Sequence, residues 1–285
     1  MWWTMANRFA VVGGDSRQRY LAEELILLGN AVDVYGVPGL ADSRTGLPET
    51  LLRAKHVILP MPAWDKSGSL QNQQGLVILP EQIAPLLRQD AVVFGGKLGG
   101  GGQILARQAH VEDYGAWEPL QIANAVLTAE GAIQLAMEET EIALSACRCL
   151  VIGAGRIGME LARRLHGLGA QVTVSARKEA DFARIRAAGM TADVTGVFGL
   201  GLRQYDFVCN TVPAPILPPE KLELFRPECA LIELASAPGG WDPEACRVLG
   251  LRHVPGGGLP GRVAPRTAGK IICGEILEYL RRQGR

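Results

Sequence analysis

The sequence has no surplus of either charge: 29 Lys and Arg stand against 29 Asp and Glu, a formal net charge of +0. Without a basic surface it lacks the electrostatic handle of a general nucleic-acid binder. Long apolar runs are also missing, so nothing is long enough to cross a bilayer. The opening "MWWTMANRF" has no basic leader, apolar stretch or small-residue cleavage site, and is not a signal peptide. The six cysteines show no metal pattern: Cys147 and Cys149 have neither a second pair nor a nearby histidine to complete a zinc site. Cys209 and Cys229 lie in apolar runs and read as small core residues. These absences predict a soluble cytoplasmic chain with free thiols, no metal, no nucleic-acid partner and no membrane association.

What is present is 285 residues that are 48% apolar, enough for two domains with cores of their own. Short Val/Ile-rich runs ("FAVVGG", "AVDVYGV", "HVILPMP", "AVVFGG") alternate with helix-like segments and stop at Gly or Pro, as buried parallel strands do. Asp15 followed by Gln18 is a capping box, and Leu21, Leu25 and Leu28 then mark one apolar helix face. The alternation restarts after Ala146 with "CRCLVIGAG", "QVTVSAR", "YDFVCNTV", "CALIELAS" and "RHVPGG". This predicts an α/β protein of two Rossmann-like, doubly wound parallel-sheet domains with an interdomain cleft. The first domain is predicted over residues 1–117, completed by a C-terminal helix over 265–285. A long helix over 118–146 joins it to a nucleotide-binding domain over 147–264.

The strongest motif is Gly153-Ala154-Gly155-Arg156-Ile157-Gly158, a G-x-G-x-x-G between a strand and an amphipathic helix. The first glycine permits the tight turn, the second lets backbone N–H groups approach a pyrophosphate, and the third brings the helix close to the sheet. The following strand ends in "SARK". Where an NAD site carries Asp or Glu, this chain has Ser175, Arg177 and Lys178, groups suited to a 2′-phosphate. NADP is the expected cofactor, with NAD the alternative. Thr211, Val212, Pro213 and Ala235 follow later strands and are expected to border the nicotinamide end.

"VVGGDSRQ", "GAGRIG" with "SARK", "CNTVPAPIL", "ELASAPGGWD" and "PGGGLPGRVAPRTAGKII" together resemble the dipicolinate synthase A-subunit family, from about Arg8 to the C-terminus. The resemblance implies NADP-dependent oxidation of dihydrodipicolinate, formed from 4-hydroxy-tetrahydrodipicolinate, to pyridine-2,6-dicarboxylate during sporulation. It also implies a location in the mother-cell cytoplasm and a partner, a flavoprotein-like B subunit. A homo-oligomer is the default assembly.

A ring with two carboxylates needs cationic or N–H donors. Arg17, Lys66, Ser67 and Lys97 follow strands of the first domain, and Gly13 and Gly14 would let the acid approach the backbone. Arg262, Arg266 and Thr267 flank the start of the last helix, a second carboxylate-binding geometry. Asp15, Lys97 and His253 are the catalytic candidates. Asp15 reads more readily as a helix cap than as a base, and His253 more readily as a structural strand residue, with Asp65 or water as other proton acceptors. Two further functions fit the motifs: another two-domain hydroxy-acid or amino-acid dehydrogenase, and a non-catalytic subunit that senses NADP.

Overall fold

The computed structural model describes residues 8–42, 46–198 and 200–284; the opening segment read above lies outside them up to Asn7. The chain forms two compact units, one up to Ala123 and again from Ala264 onward, the other Asn124–Val263.

The first unit runs β1 (Arg8–Val12), α1 (Ser16–Leu27), β2 (Ala31–Tyr35), α2 (Leu47–Leu52), β3 (His56–Ile58), α3 (Pro80–Ile83), β4 (Val92–Gly95), α4 (Gly99–Leu105) and β5 (His110–Asp113). The strands pair in parallel in the order β2-β1-β3-β4-β5. Alternate β1 residues serve opposite cores. Phe9 and Val11 pack with Leu21 and Leu25, whereas Ala10 and Val12 pack with Leu51, Val57 and Leu59. Both faces are buried, which is why the strands read as continuous apolar runs. Leu28 does not continue the α1 face. The helix ends at Leu27, and Leu28 is 57% exposed before Gly29 turns the chain at φ 85°.

α5 (Glu118–Glu139) is shorter than the predicted helix. Thr140 bonds back to the Ala136 carbonyl through both its N–H and its hydroxyl, and the chain then leaves the helix. Residues 144–146 form only a 3₁₀ turn. The boundary between the units falls inside α5, not after it.

The second unit continues with β6 (Arg148–Ile152), α6 (Arg156–Gly167), β7 (Gln171–Ala176), α7 (Glu179–Ala187), β8 (Thr191–Val194), β9 (Phe207–Asn210), α8 (Pro219–Leu222), β10 (Ala230–Glu233), α9 (Pro243–Val248), β11 (Arg252–Pro255) and α10 (Leu259–Val263). All pairs are parallel, in the order β11-β10-β9-β6-β7-β8. The topological switch lies between β6 and β9, where such sheets bind ligands.

α11 (Pro265–Arg282) belongs to the first unit and packs along α1. A Cβ on Gly269 would lie 2.4 Å from the Arg17 carbonyl, so only glycine lets the two helices meet there. Ile272, Ile276 and Leu280 join the core with Leu21 and Leu25. Two strands escaped the sequence reading, β5 and β8. Both are edge strands with partly exposed residues and no continuous apolar run.

Candidate functional site

In the second unit the glycine turn has the geometry a dinucleotide needs. Gly153 sits at φ 104°, and a Cβ there would lie 2.5 Å from the Thr211 hydroxyl oxygen. A Cβ on Gly158 would lie 1.9 Å from the Gly153 carbonyl oxygen. A Cβ on Gly155 would meet no atom within 4 Å, so this glycine leaves space instead of filling it. Gly155 is also the N-cap of α6 and offers no side chain to the first amides of the helix. Those donors and the open approach fit a pyrophosphate. Ala154, Arg156 and Ile157 complete the turn, with Arg156 exposed.

The adenosine end corrects one expectation. Ser175 is fully buried, and its hydroxyl oxygen accepts a hydrogen bond from the Thr195 hydroxyl at 3.1 Å. Burial and this bond leave its hydroxyl committed within the protein. β7 ends in Ala176, so no carboxylate stands there, and Arg177 and Lys178 beyond it are exposed.

At the other end of the nucleotide turn, Thr211 donates its hydroxyl to the Ile152 carbonyl at 2.8 Å, tying β9 to β6 across the switch. Val212 N donates to Asn210 Oδ1 at 3.0 Å. Asn210 Nδ2 donates to Glu233 Oε1 at 2.8 Å, and Glu233 also accepts from Ala235 N at 2.9 Å and Gly240 N at 2.7 Å. This pair fixes the loops carrying Val212, Pro213 and Ala235; Pro213 is exposed and the other two half-buried. A polar cavity of about 780 Å³, lined in part by Arg148, His166, Thr173 and Asp193, lies at the opposite, amino-terminal edge of this sheet.

His253 is half-buried on β11, and its Nδ1 accepts from Trp241 Nε1 at 3.1 Å. Burial lowers its pKa, with the Glu233 charge opposing. A neutral imidazole accepting at Nδ1 carries its proton on Nε2. The Nδ1 lone pair of His253 is therefore engaged by Trp241, and Nε2 is left as a donor. Arg262 reaches its own loop, donating from Nη1 to the Pro255 carbonyl at 3.2 Å.

In the first unit, Arg17 is 8% exposed. Its Nε and Nη2 grip Asp15 at 2.9 and 2.8 Å, and Nη2 also donates to the Met61 carbonyl at 2.6 Å. The guanidinium thus bridges the ends of β1 and β3, the switch point of this sheet. Its Nη1 makes no hydrogen bond among the described residues. One edge of the fork is occupied and one nitrogen is left.

Asp15 is not suited to be a base. It caps α1 by accepting from Arg17 N at 2.9 Å. Burial alone would raise its carboxyl, but the hydrogen bonds and charge of Arg17 outweigh burial and hold it below the usual range. Burial likewise opposes the Arg17 charge, and Asp15 overcomes it, so the guanidinium pKa is raised.

Gly13 and Gly14 are buried and pack on the chain's own loop. Gly14 N donates to the Gln71 carbonyl at 2.6 Å. A Cβ on Gly13 would be 2.8 Å from that carbonyl oxygen, and one on Gly14 2.4 Å from the Gln18 side chain. Ser67 is also committed: its hydroxyl donates to Asp65 at 2.6 Å. Lys66 sits exposed beside it on the same loop. Hydrogen bonds, that from the Ser67 hydroxyl first, lower the Asp65 carboxyl below its ordinary range, which makes it a weaker base.

Lys97 follows β4 and is exposed, and the Gly96 before it packs on Met61: a Cβ there would meet the Met61 side chain at 2.4 Å. Met61 thus lies against both Arg17 and the Lys97 turn. Arg266 and Thr267 are exposed in the first turn of α11, whose N-cap Ala264 offers no side-chain bond. Sequence reasoning missed Asp113, which ends β5 and holds the Lys97 turn. Its only signal is a carboxylate after the short "HVE", a strand without an apolar run.

Among the described residues no helix is long and apolar enough to cross a membrane, and no cluster of metal-ligating side chains occurs. Residues 8–112 match a family described as the N-terminal domain of the dipicolinate synthase A subunit, and residues 148–188 match pyridine nucleotide-disulphide oxidoreductase. With the glycine turn, the second match makes the chain a Rossmann-type oxidoreductase of the NAD(P)-binding kind. The dipicolinate synthase A subunit of Bacillus subtilis (strain 168) is 30% identical over 96% of this chain and 95% of its own length. The crystal structure of the dipicolinate synthase A subunit from Bacillus halodurans superposes with a TM-score of 0.84 at 27% identity, covering 96% of this chain and 97% of that one. That of the Bacillus subtilis protein gives 0.83 at 28% identity, covering 98% and 97%. The chain belongs to the dipicolinate synthase A-subunit family.

Proposed function

We propose that this chain oxidises dihydrodipicolinate to pyridine-2,6-dicarboxylate with NADP as hydride acceptor, as the A subunit of a synthase whose B subunit is flavoprotein-like. The observation that carries the substrate class is the buried Arg17 guanidinium at the crevice between β1 and β3, whose Nη1 makes no hydrogen bond among the described residues. A buried cation at a ligand-binding edge selects an anion. Lys97, at the end of the next strand, serves the second carboxylate, and Arg266 and Thr267 add donors from α11.

NADP supplies the two-electron acceptor when bound, and the ring loses one hydride and one proton as it becomes aromatic. The chain's own part is positioning. Arg17 and Lys97 fix the plane of the acid by its two charges. Asp15 keeps Arg17 charged in a buried place. Gly153, Gly155 and the start of α6 hold the pyrophosphate, and Arg177 and Lys178 receive the 2′-phosphate where an NAD site would have a carboxylate. Water accepts the ring proton, because Asp15, Asp65 and His253 are each committed elsewhere. The mother-cell cytoplasm is the setting that the family's spore product suggests.

The test is turnover. Purified chain is mixed with NADP and freshly generated 4-hydroxy-tetrahydrodipicolinate, with and without the B subunit. NADPH and dipicolinate rise together if the proposal holds. No turnover under either condition refutes it, and turnover of a hydroxy acid or amino acid instead assigns the chain to another dehydrogenase class.

A further inference from the structure

We propose that Asp113 is a positioning residue, which holds Lys97 in a left-handed backbone conformation so that its ammonium is presented to a substrate carboxylate. This rests on the reading above that Lys97 binds the acid.

The first observation is the backbone. Lys97 has φ 56°, and among the described residues it is the only one other than glycine with a positive φ. That region disfavours L side chains, and such outliers persist only where surrounding structure enforces them. The local sequence is "GGKLGGGG", residues 95–102, in which glycine fills every position but two. Glycine would adopt this conformation without strain. The strained place nonetheless carries a long cationic side chain.

The second observation is what enforces it. The Asp113 carboxylate accepts from Lys97 N at 3.0 Å, Leu98 N at 3.0 Å and Gly115 N at 2.9 Å. Asp113 lies directly across from Gly95 in the sheet, so it meets the turn as the chain leaves β4. Two consecutive amides turned toward one carboxylate define the bend at Lys97. Neighbouring packing closes the alternatives. A Cβ on Gly95 would meet the Leu98 side chain at 2.5 Å, one on Gly96 would meet Met61 at 2.4 Å, and Trp64 Nε1 anchors the Leu98 carbonyl at 2.8 Å. The turn is held on three sides while the Lys97 side chain stays exposed at the carboxyl edge of the sheet.

The experiment measures dipicolinate affinity by calorimetry with NADP present, together with Tm, for Lys97→Met, Lys97→Gly, Asp113→Asn, Asp113→Ala and the double variant Lys97→Met/Asp113→Ala. Lys97→Met should weaken dipicolinate at least about tenfold, the loss of one charged hydrogen bond. Lys97→Gly should weaken it equally while keeping or raising Tm, because the strain is relieved. Asp113→Ala should approach the Lys97→Met loss. Asp113→Asn, which keeps an acceptor for Lys97 N, should recover part of it and remain folded if the alanine variant does not. In the Lys97→Met background Asp113→Ala should cost no further affinity. Wild-type affinity in Lys97→Met sinks the underlying reading. Impaired Lys97→Met beside wild-type affinity in the Asp113 variants overturns this proposal alone. So does an Asp113 loss that persists undiminished in the Lys97→Met background, or a lower Tm in Lys97→Gly.

Discussion

Asp15 Oδ2 and Arg17 Nη2 are 2.8 Å apart at the start of α1, both mostly withdrawn from water, and the same nitrogen reaches the Met61 carbonyl. One carboxylate therefore caps a helix and also keeps a cation charged in the sheet's ligand-binding crevice.

That pairing has a pH signature. The folded-state carboxyl pKa is depressed by Arg17 against the opposing effect of burial. Its contribution is then full above the unfolded-state value of about 4 and lost as pH falls through the folded value. Asp15→Asn should cost on the order of 2–3 kcal/mol at neutral pH, since it leaves Arg17 without its counter-charge. The gap to wild type should close as the pH falls below about 4. Chemical denaturation across this range checks it, and a gap that stays constant into acid removes the account of the pair.

Two glycines of the nucleotide turn separate folding from binding. Gly158→Ala puts a Cβ 1.9 Å from a backbone carbonyl and should destabilise the second unit. Gly155→Ala meets no protein atom within 4 Å, so Tm should stay unchanged while NADP binding weakens. Thermal melts with and without nucleotide report both, and equal effects in the two variants would mean that Gly155 faces no ligand.

Cofactor choice rests on Ala176 and the exposed Arg177. Arg177→Ala should weaken NADP roughly tenfold or more, the scale of a lost charge-assisted hydrogen bond, and leave NAD nearly untouched. Fluorescence titration with both nucleotides measures the ratio. Equal losses would show that the charge does not read the 2′-phosphate.

His253→Asn keeps an acceptor for Trp241 Nε1 and removes the imidazole. Stability should change by less than about 1 kcal/mol, and kcat should stay within about threefold of wild type. A hundredfold fall in kcat at unchanged Tm would restore His253 as the proton acceptor.

Much of the fold was legible because the inner strands are buried on both faces and so print as Val/Ile runs closed by glycine. β5 and β8 were not, since HVED and TADV hold no fully buried residue and no apolar run closed by glycine or proline. The nucleotide turn was legible because its three glycines stand at a fixed short spacing between a strand and a helix, although Gly153 meets Thr211 from a distant loop. The partners of Gly14, Ser67 and Ser175 were not legible, because no such spacing marks them. Gly14 meets Gln71 and Ser175 meets Thr195, from loops that sequence does not place, and Ser67 is consumed by a local turn around Asp65. Asp113 went unseen with the strand that carries it.

The most direct measurement is the stoichiometry of a single turnover, with enzyme and NADP in excess over the cyclic dicarboxylate and the B subunit present. One NADPH and one dipicolinate per precursor consumed is the predicted result. Dipicolinate without NADPH, or NADPH without dipicolinate, would contradict the assignment of the oxidation to this chain.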